Sequence, residues 1–190
     1  MEKEDLFKAL TDTAISLGAY KAAVIPTSDV TTDVSFRDLC KNNVCGNYGK
    51  NWACPPDAGD INELIETLYG FQYILVYQSV GQLEDSFDFE GMADAAQKHG
   101  KLIRYVREEV EKLKLKRALF LGAGGCTVCP VCAKKTDEPC RNPEKKTPSL
   151  EAYGVNVSLL AKAAGMKYIN GQNTVTYFGA VLFDCDDEKL

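Results

Sequence analysis

The sequence predicts an α/β or α+β fold: a single-domain sandwich in which helices cover a mixed sheet of about five strands, with cysteine-rich loops after strands. Three observations carry this expectation. Segments with helical spacing alternate with short runs of β-branched and aromatic residues. The 190 residues, 45% hydrophobic and 26% charged, suffice for one compact core and are read as one domain over residues 1–190. Two groups of cysteines follow expected strands, where sites are commonly built on such sheets.

The elements follow in order. Residues 4–17 carry Leu6, Phe7, Leu10, Ala14, Ile15 and Leu17 at helical spacing, and Gly18 supplies a C-cap. Residues 20–25 read as a strand stopped by Pro26. Residues 27–60 read as loop. Residues 61–69 form a short helix with Asp60 as its N-cap. Residues 71–80, rich in aromatic and β-branched side chains, read as a buried strand. Residues 90–115 form one long helix with Leu102, Ile103, Val106, Val110 and Leu113 facing inward and His99 on its polar, solvated side. A strand over 116–121 runs into Gly122-Ala123-Gly124-Gly125. Residues 150–164 form the last helix, capped by Gly165, and strands over 166–170 and 175–183 are joined by a tight connection at Gly171-Gln172-Asn173.

Composition narrows the function classes. A net charge of −5 and a pI near 5.0 argue against a nucleic-acid footprint. The strongly apolar stretches, near 71–76 and 179–183, fall far short of the roughly 20 residues that span a bilayer. The N-terminus, Met1-Glu2-Lys3-Glu4-Asp5, is acidic where a signal peptide is basic. The expectation is a cytoplasmic protein with no membrane and no nucleic acid among its partners. In a reducing compartment, eight cysteines point to metal or redox chemistry rather than disulfides.

The second cysteine group reads Cys126-x2-Cys129-x2-Cys132-x7-Cys140. Three cysteines at three-residue spacing let one tight loop wrap a cubane, with the fourth thiolate arriving from outside; bacterial ferredoxins use such a run. A structural zinc site prefers two separate C-x2-C knuckles, and Cys140 has no such partner. The favoured cofactor is therefore a [4Fe–4S] cluster on Cys126, Cys129, Cys132 and Cys140, with zinc as the alternative. Gly122, Gly124 and Gly125 allow backbone N–H groups close to sulfur. Lys134, Lys135 and Arg141 can offset thiolate charge, and Glu151 is a candidate partner for Arg141.

The first group, Cys40-x4-Cys45-x8-Cys54, offers three thiolates for a second cluster. Its fourth position is open or filled by Cys140, Cys185 or a non-cysteine ligand, so Cys140 has two candidate homes. An open iron would bind substrate, and Asn47, Lys50 or Asn51 would orient it. Tyr48 and Trp52 bracket this loop and are candidates to exclude water from a cluster. Cys185 reads as a spare thiol. The single histidine leaves no His-based triad, and no P-loop or complete G-x-G-x-x-G is present.

Together the two segments resemble the predicted metal-binding family called domain of unknown function 2284. The resemblance rests on Cys45-x2-Tyr48-Gly49-x2-Trp52-x-Cys54-Pro55-Pro56, on Cys126-x2-Cys129-x2-Cys132-x7-Cys140-Arg141-x-Pro143-Glu144, and on the run from Pro148 to Val157. It implies metal binding through these cysteines and names no reaction. The leading expectation is an iron–sulfur protein that transfers electrons or serves as a redox module, with a redox protein as partner. The alternatives are an enzyme with an open-site three-cysteine cluster and a zinc-stabilised structural or interaction module.

Overall fold

The computed structural model describes residues 2–185. Its sheet has four strands: β1 (Lys21–Pro26), β2 (Tyr73–Gln82), β3 (Ala118–Leu121) and β4 (Thr174–Phe183). They lie in the order β1-β2-β4-β3, and every neighbouring pair is antiparallel. This corrects the expected mixed sheet of about five strands. The helices are α1 (Lys3–Ser16), α2 (Ser35–Lys41), α3 (Ile61–Tyr69), α4 (Phe89–Lys112) and α5 (Val157–Ala163).

The central strands lack hydrophobic alternation because both of their faces are covered. Ile74 and Val76 of β2, with Phe178, Ala180 and Leu182 of β4, pack against Leu68 of α3 and Leu160 of α5. Their neighbours Leu75, Tyr77, Val181 and Phe183 face the other way, onto Leu6 and Leu10 of α1 and Leu102, Ile103 and Val106 of α4. Helix caps follow the sequence cues. Asp60 accepts from the Asn62 and Glu63 amides at 2.9 and 3.3 Å. Gly18, at φ +107°, closes α1, and the Ala19 amide reaches back to Ala14.

Three further elements depart from expectation. Residues 166–170 form no strand. Gly165, at φ +66°, turns the end of α5, and the Met166 amide bonds Ala161 at 2.8 Å, so Met166 belongs to the helix cap. Asn170 then closes a local turn by donating to the Lys167 carbonyl and the Thr176 hydroxyl. The last helix begins at Val157 instead of residue 150. The Leu150 amide is taken by the Gly122 carbonyl, Glu151–Tyr153 is a single 3₁₀ turn, and Gly154 sits at φ +69°. Asn156 caps the true start by accepting from Leu159. The stretch expected as loop contains α2, which packs on the 3₁₀ turn through Arg37, a donor to the Ala152 and Gly59 carbonyls.

Gly179 faces Tyr77 in register, and a Cβ there would lie 2.5 Å from the buried tyrosine ring. Gly179→Ala should lower unfolding free energy by about 1–3 kcal/mol through overpacking. In a Tyr77→Leu background the penalty should fall by more than half, as read by urea denaturation. Equal penalties in both backgrounds would show that the ring is not the obstacle.

Candidate metal centre

The second cysteine group is an excursion from the edge of the sheet. Strand β3 ends at Leu121, and the next residue is pinned on both sides: the Gly122 amide donates to Pro148 at 2.8 Å and its carbonyl accepts from Leu150 at 3.0 Å. The chain leaves at residue 123 and returns at 148 alongside its own exit. Arg107 on α4 holds the returning limb, donating to the Glu144 carbonyl at 3.0 Å and the Thr147 hydroxyl at 3.3 Å while its guanidinium lies 4.3 Å from the Phe120 ring centroid.

Within this excursion Cys126, Cys129, Cys132 and Cys140 all line one narrow recess, walled by Trp52 and Asn142. The recess holds about 20 Å³, and Cys126, Cys129 and Cys132 also border a wider cleft of about 500 Å³. The Asn142 side-chain amide donates to Cys129 Sγ at 3.2 Å. Among the described residues, no backbone N–H from 123 through 132 donates to a protein acceptor. Amides left free in a half-buried loop are donors available to sulfur or to an anion.

Cys40, Cys45 and Cys54 line a different cavity, of about 250 Å³, with Tyr48, Ser149 and Glu151. Cys40 comes from α2, and Cys45 and Cys54 from a loop turned by Gly46 and Gly49 at φ +71° and +66°. Burial first, then the nearby thiols of Cys45, Cys40, Cys126 and Cys132, push the Cys54 thiol up to about 12. Burial also raises the Cys40 thiol, reinforced by Glu151, whose own carboxyl is raised by burial. Such thiols ionise when a bound cation stabilises the thiolate, which is what metal coordination does.

The two groups are joined through Asn51. Its side chain donates to the Cys126 carbonyl at 3.1 Å and accepts from the Ala53 amide at 3.0 Å. Trp52 reaches across as well, donating to the Glu138 carbonyl at 2.8 Å. Tyr48 therefore covers the first group and Trp52 the second, although both were expected over the first loop. Asn47, Lys50 and Asn51, expected at the first group, line the wide cleft beside the second. Arg141 pairs with Glu138 at 2.8 Å, not with Glu151. Lys134 is held by Asp57 and Asp137 and lies 4.4 Å from the Trp52 ring centroid. Cys185 packs with the α1–α4 face, outside all three cavities.

Sequence reasoning misplaced His99. It is 2% exposed, lines the wide cleft, and its Nδ1 lies 2.8 Å from Ser79 Oγ, between the rings of Tyr77 and Tyr177. The missed signal was its spacing, three and four residues before Leu102 and Ile103, which places it on the apolar stripe. Glu151 was missed as a wall of the first cavity because only the folded 150–156 turn brings it there.

Among the described residues, no three His, Cys, Asp or Glu side chains converge on one metal-ion position. No helix is long and apolar enough to cross a membrane among those residues. A family model described as "Predicted metal-binding protein (DUF2284)" matches residues 23–183, a span that includes seven of the eight cysteines and leaves Cys185 outside. Curated proteins and solved structures give no match.

Burial pushes His99 from its ordinary 6.5 down to about 4. The unfolded chain therefore takes up a proton below pH 6.5 that the folded chain refuses until about pH 4, and stability falls as pH drops through that window. Between pH 7 and 5 the loss should be about 2 kcal/mol, and His99→Gln should remove that slope in denaturation at each pH. Glu151, raised by burial, works in the opposite sense, so an unchanged slope in the variant would assign the titration elsewhere.

Proposed function

The chain belongs to the predicted metal-binding family DUF2284, and from that premise we propose that it is an iron–sulfur protein acting in electron transfer. The centre is a [4Fe–4S] cluster on Cys126, Cys129, Cys132 and Cys140. When bound, such a cluster stores and releases one electron. The observation that carries the reading is the shared recess of those four thiols, three of them in the stretch 123–132, whose backbone N–H groups have no protein acceptor among the described residues.

Further features support it. The Asn142 side chain donates to Cys129 Sγ, a contact that stabilises thiolate charge, and the loop amides without a protein acceptor are available to do the same for sulfide. Three of the thiols border the wide cleft as well as the recess, leaving room on the cleft side for a core larger than one ion. Trp52 lies across one wall of the recess, and the cleft leaves the other side open toward a redox partner protein.

A second reading has its own observation. Cys40, Cys45 and Cys54 line a cavity in which, among the described residues, there is no fourth cysteine and Glu151 is the one carboxylate. A second cluster there would keep a position open for a substrate, and the protein would be an enzyme.

The ligand assignment is tested by serine variants purified without oxygen. Cys126→Ser, Cys129→Ser and Cys140→Ser should each abolish or strongly alter a reducible visible chromophore, while Cys185→Ser retains it. A chromophore indifferent to Cys140→Ser would overturn the four-thiol assignment. Colourless wild-type protein that unfolds on chelation would point to structural zinc and overturn the electron-transfer reading.

A further inference from the structure

We propose that the wide cleft between α4 and the Gly-rich cysteine loop binds a small anionic molecule through its carboxylate or phosphate groups. The cleft, about 500 Å³, is in the range of small-molecule sites. The chain carries 27 acidic and 22 basic residues, yet among the described residues the charged ones lining this cleft are Lys50, Arg104 and Lys135, with no aspartate or glutamate. Three separate segments supply these cations: the first cysteine loop, α4 and the second cysteine loop.

None of the three is neutralised in place. Among the described residues, Lys50, Arg104 and Lys135 enter no ion pair, whereas the adjacent Lys134 and Arg141 are held by Asp57, Asp137 and Glu138. The carboxylates of this region thus compensate the cations outside the cleft and leave those inside it free. The loop that forms the opposite wall adds backbone N–H groups of residues 123–129, 131 and 132, which have no protein acceptor among the described residues. Cations beside backbone N–H groups without a protein acceptor are the chemistry that recognises oxyanions. The close approach of the two loops is set by Gly125, where a Cβ would lie 2.6 Å from Asn47 Cγ.

The competing account is that the cations only balance the thiolates of Cys126, Cys129 and Cys132. The two accounts differ in whether a free anion binds. The inference goes beyond the metal reading, because the three unpaired cations line the cleft whichever centre the cysteines hold.

Isothermal titration of the chain purified without oxygen distinguishes them, with inorganic phosphate, succinate and uncharged succinamide as separate probes and metal content measured on the same samples. The expected result is saturable binding of phosphate or succinate and none of succinamide. Binding should weaken about tenfold in Arg104→Gln and in Lys50→Gln, and stay unchanged in Lys101→Gln, an exposed α4 lysine outside the cleft. Binding of phosphate alone or succinate alone assigns the ligand's anionic group. Failure of both anions to bind metal-loaded protein at millimolar concentration, or binding unaffected by both cleft variants, overturns the inference and leaves the metal reading intact. Anion binding to a chain that carries no metal would overturn the metal reading and leave this inference standing.

Discussion

The candidate site depends on the pair of hydrogen bonds across Gly122. One residue past the end of an edge strand, its amide and carbonyl clasp the returning chain at Pro148 and Leu150. Both ends of the cysteine excursion are thereby fixed to the sheet, and the loop needs only local turns to bring Cys140 back to the C-x2-C-x2-C run. The clasp also explains the helix that starts late. A Leu150 amide given to Gly122 is not available to continue a helix backward from α5, so residues 150–153 take a 3₁₀ turn and present Glu151 to the first cysteine cavity. A Cβ at Gly122 would lie 2.7 Å from Ile103 Cδ1, so a larger residue there would require the tip of that α4 side chain to move.

The same clasp couples the two thiol groups. The 150–156 segment is tied to the chain before α2, with the Asp33 amide donating to Gly154 at 2.7 Å and the Asn156 amide to Thr31 at 2.9 Å. Asn51 completes the circuit by bonding Cys126. Thiols from two loops therefore gather at one end of the sheet, and their negative charge on ionisation is a problem the protein must solve. Pairing most nearby cations with carboxylates does not solve it; backbone donors and a bound metal are the groups that stabilise thiolate.

Much of this was legible in the sequence where a signal is local. The helical stripe of α4, the Asp60 cap, the apolar run of β2 and the cysteine spacing all depend on neighbours a few residues apart. The same local logic fails where two short-range signals compete. Leu150 to Ala164 has helical composition throughout, but Gly154 and Asn156 mark an interior break and a fresh cap that outweigh it. Met166 to Asn170 has strand composition, yet Gly165 commits it to closing α5. Long-range arrangements were less legible: Cys140 had two candidate homes in the sequence, with the second group favoured, and nothing there showed that Trp52 crosses to the other loop or that Asn47, Lys50 and Asn51 face the second group. These follow from the clasp and from Asn51, which join residues more than 25 and 70 positions apart respectively.

The central claim is that these thiols hold iron and sulfide rather than a single structural ion. The direct measurement is iron, zinc and acid-labile sulfide per chain in protein purified without oxygen. The account predicts iron and sulfide in equal amounts, about four of each for every occupied [4Fe–4S] site. Stoichiometric zinc with no sulfide would contradict it.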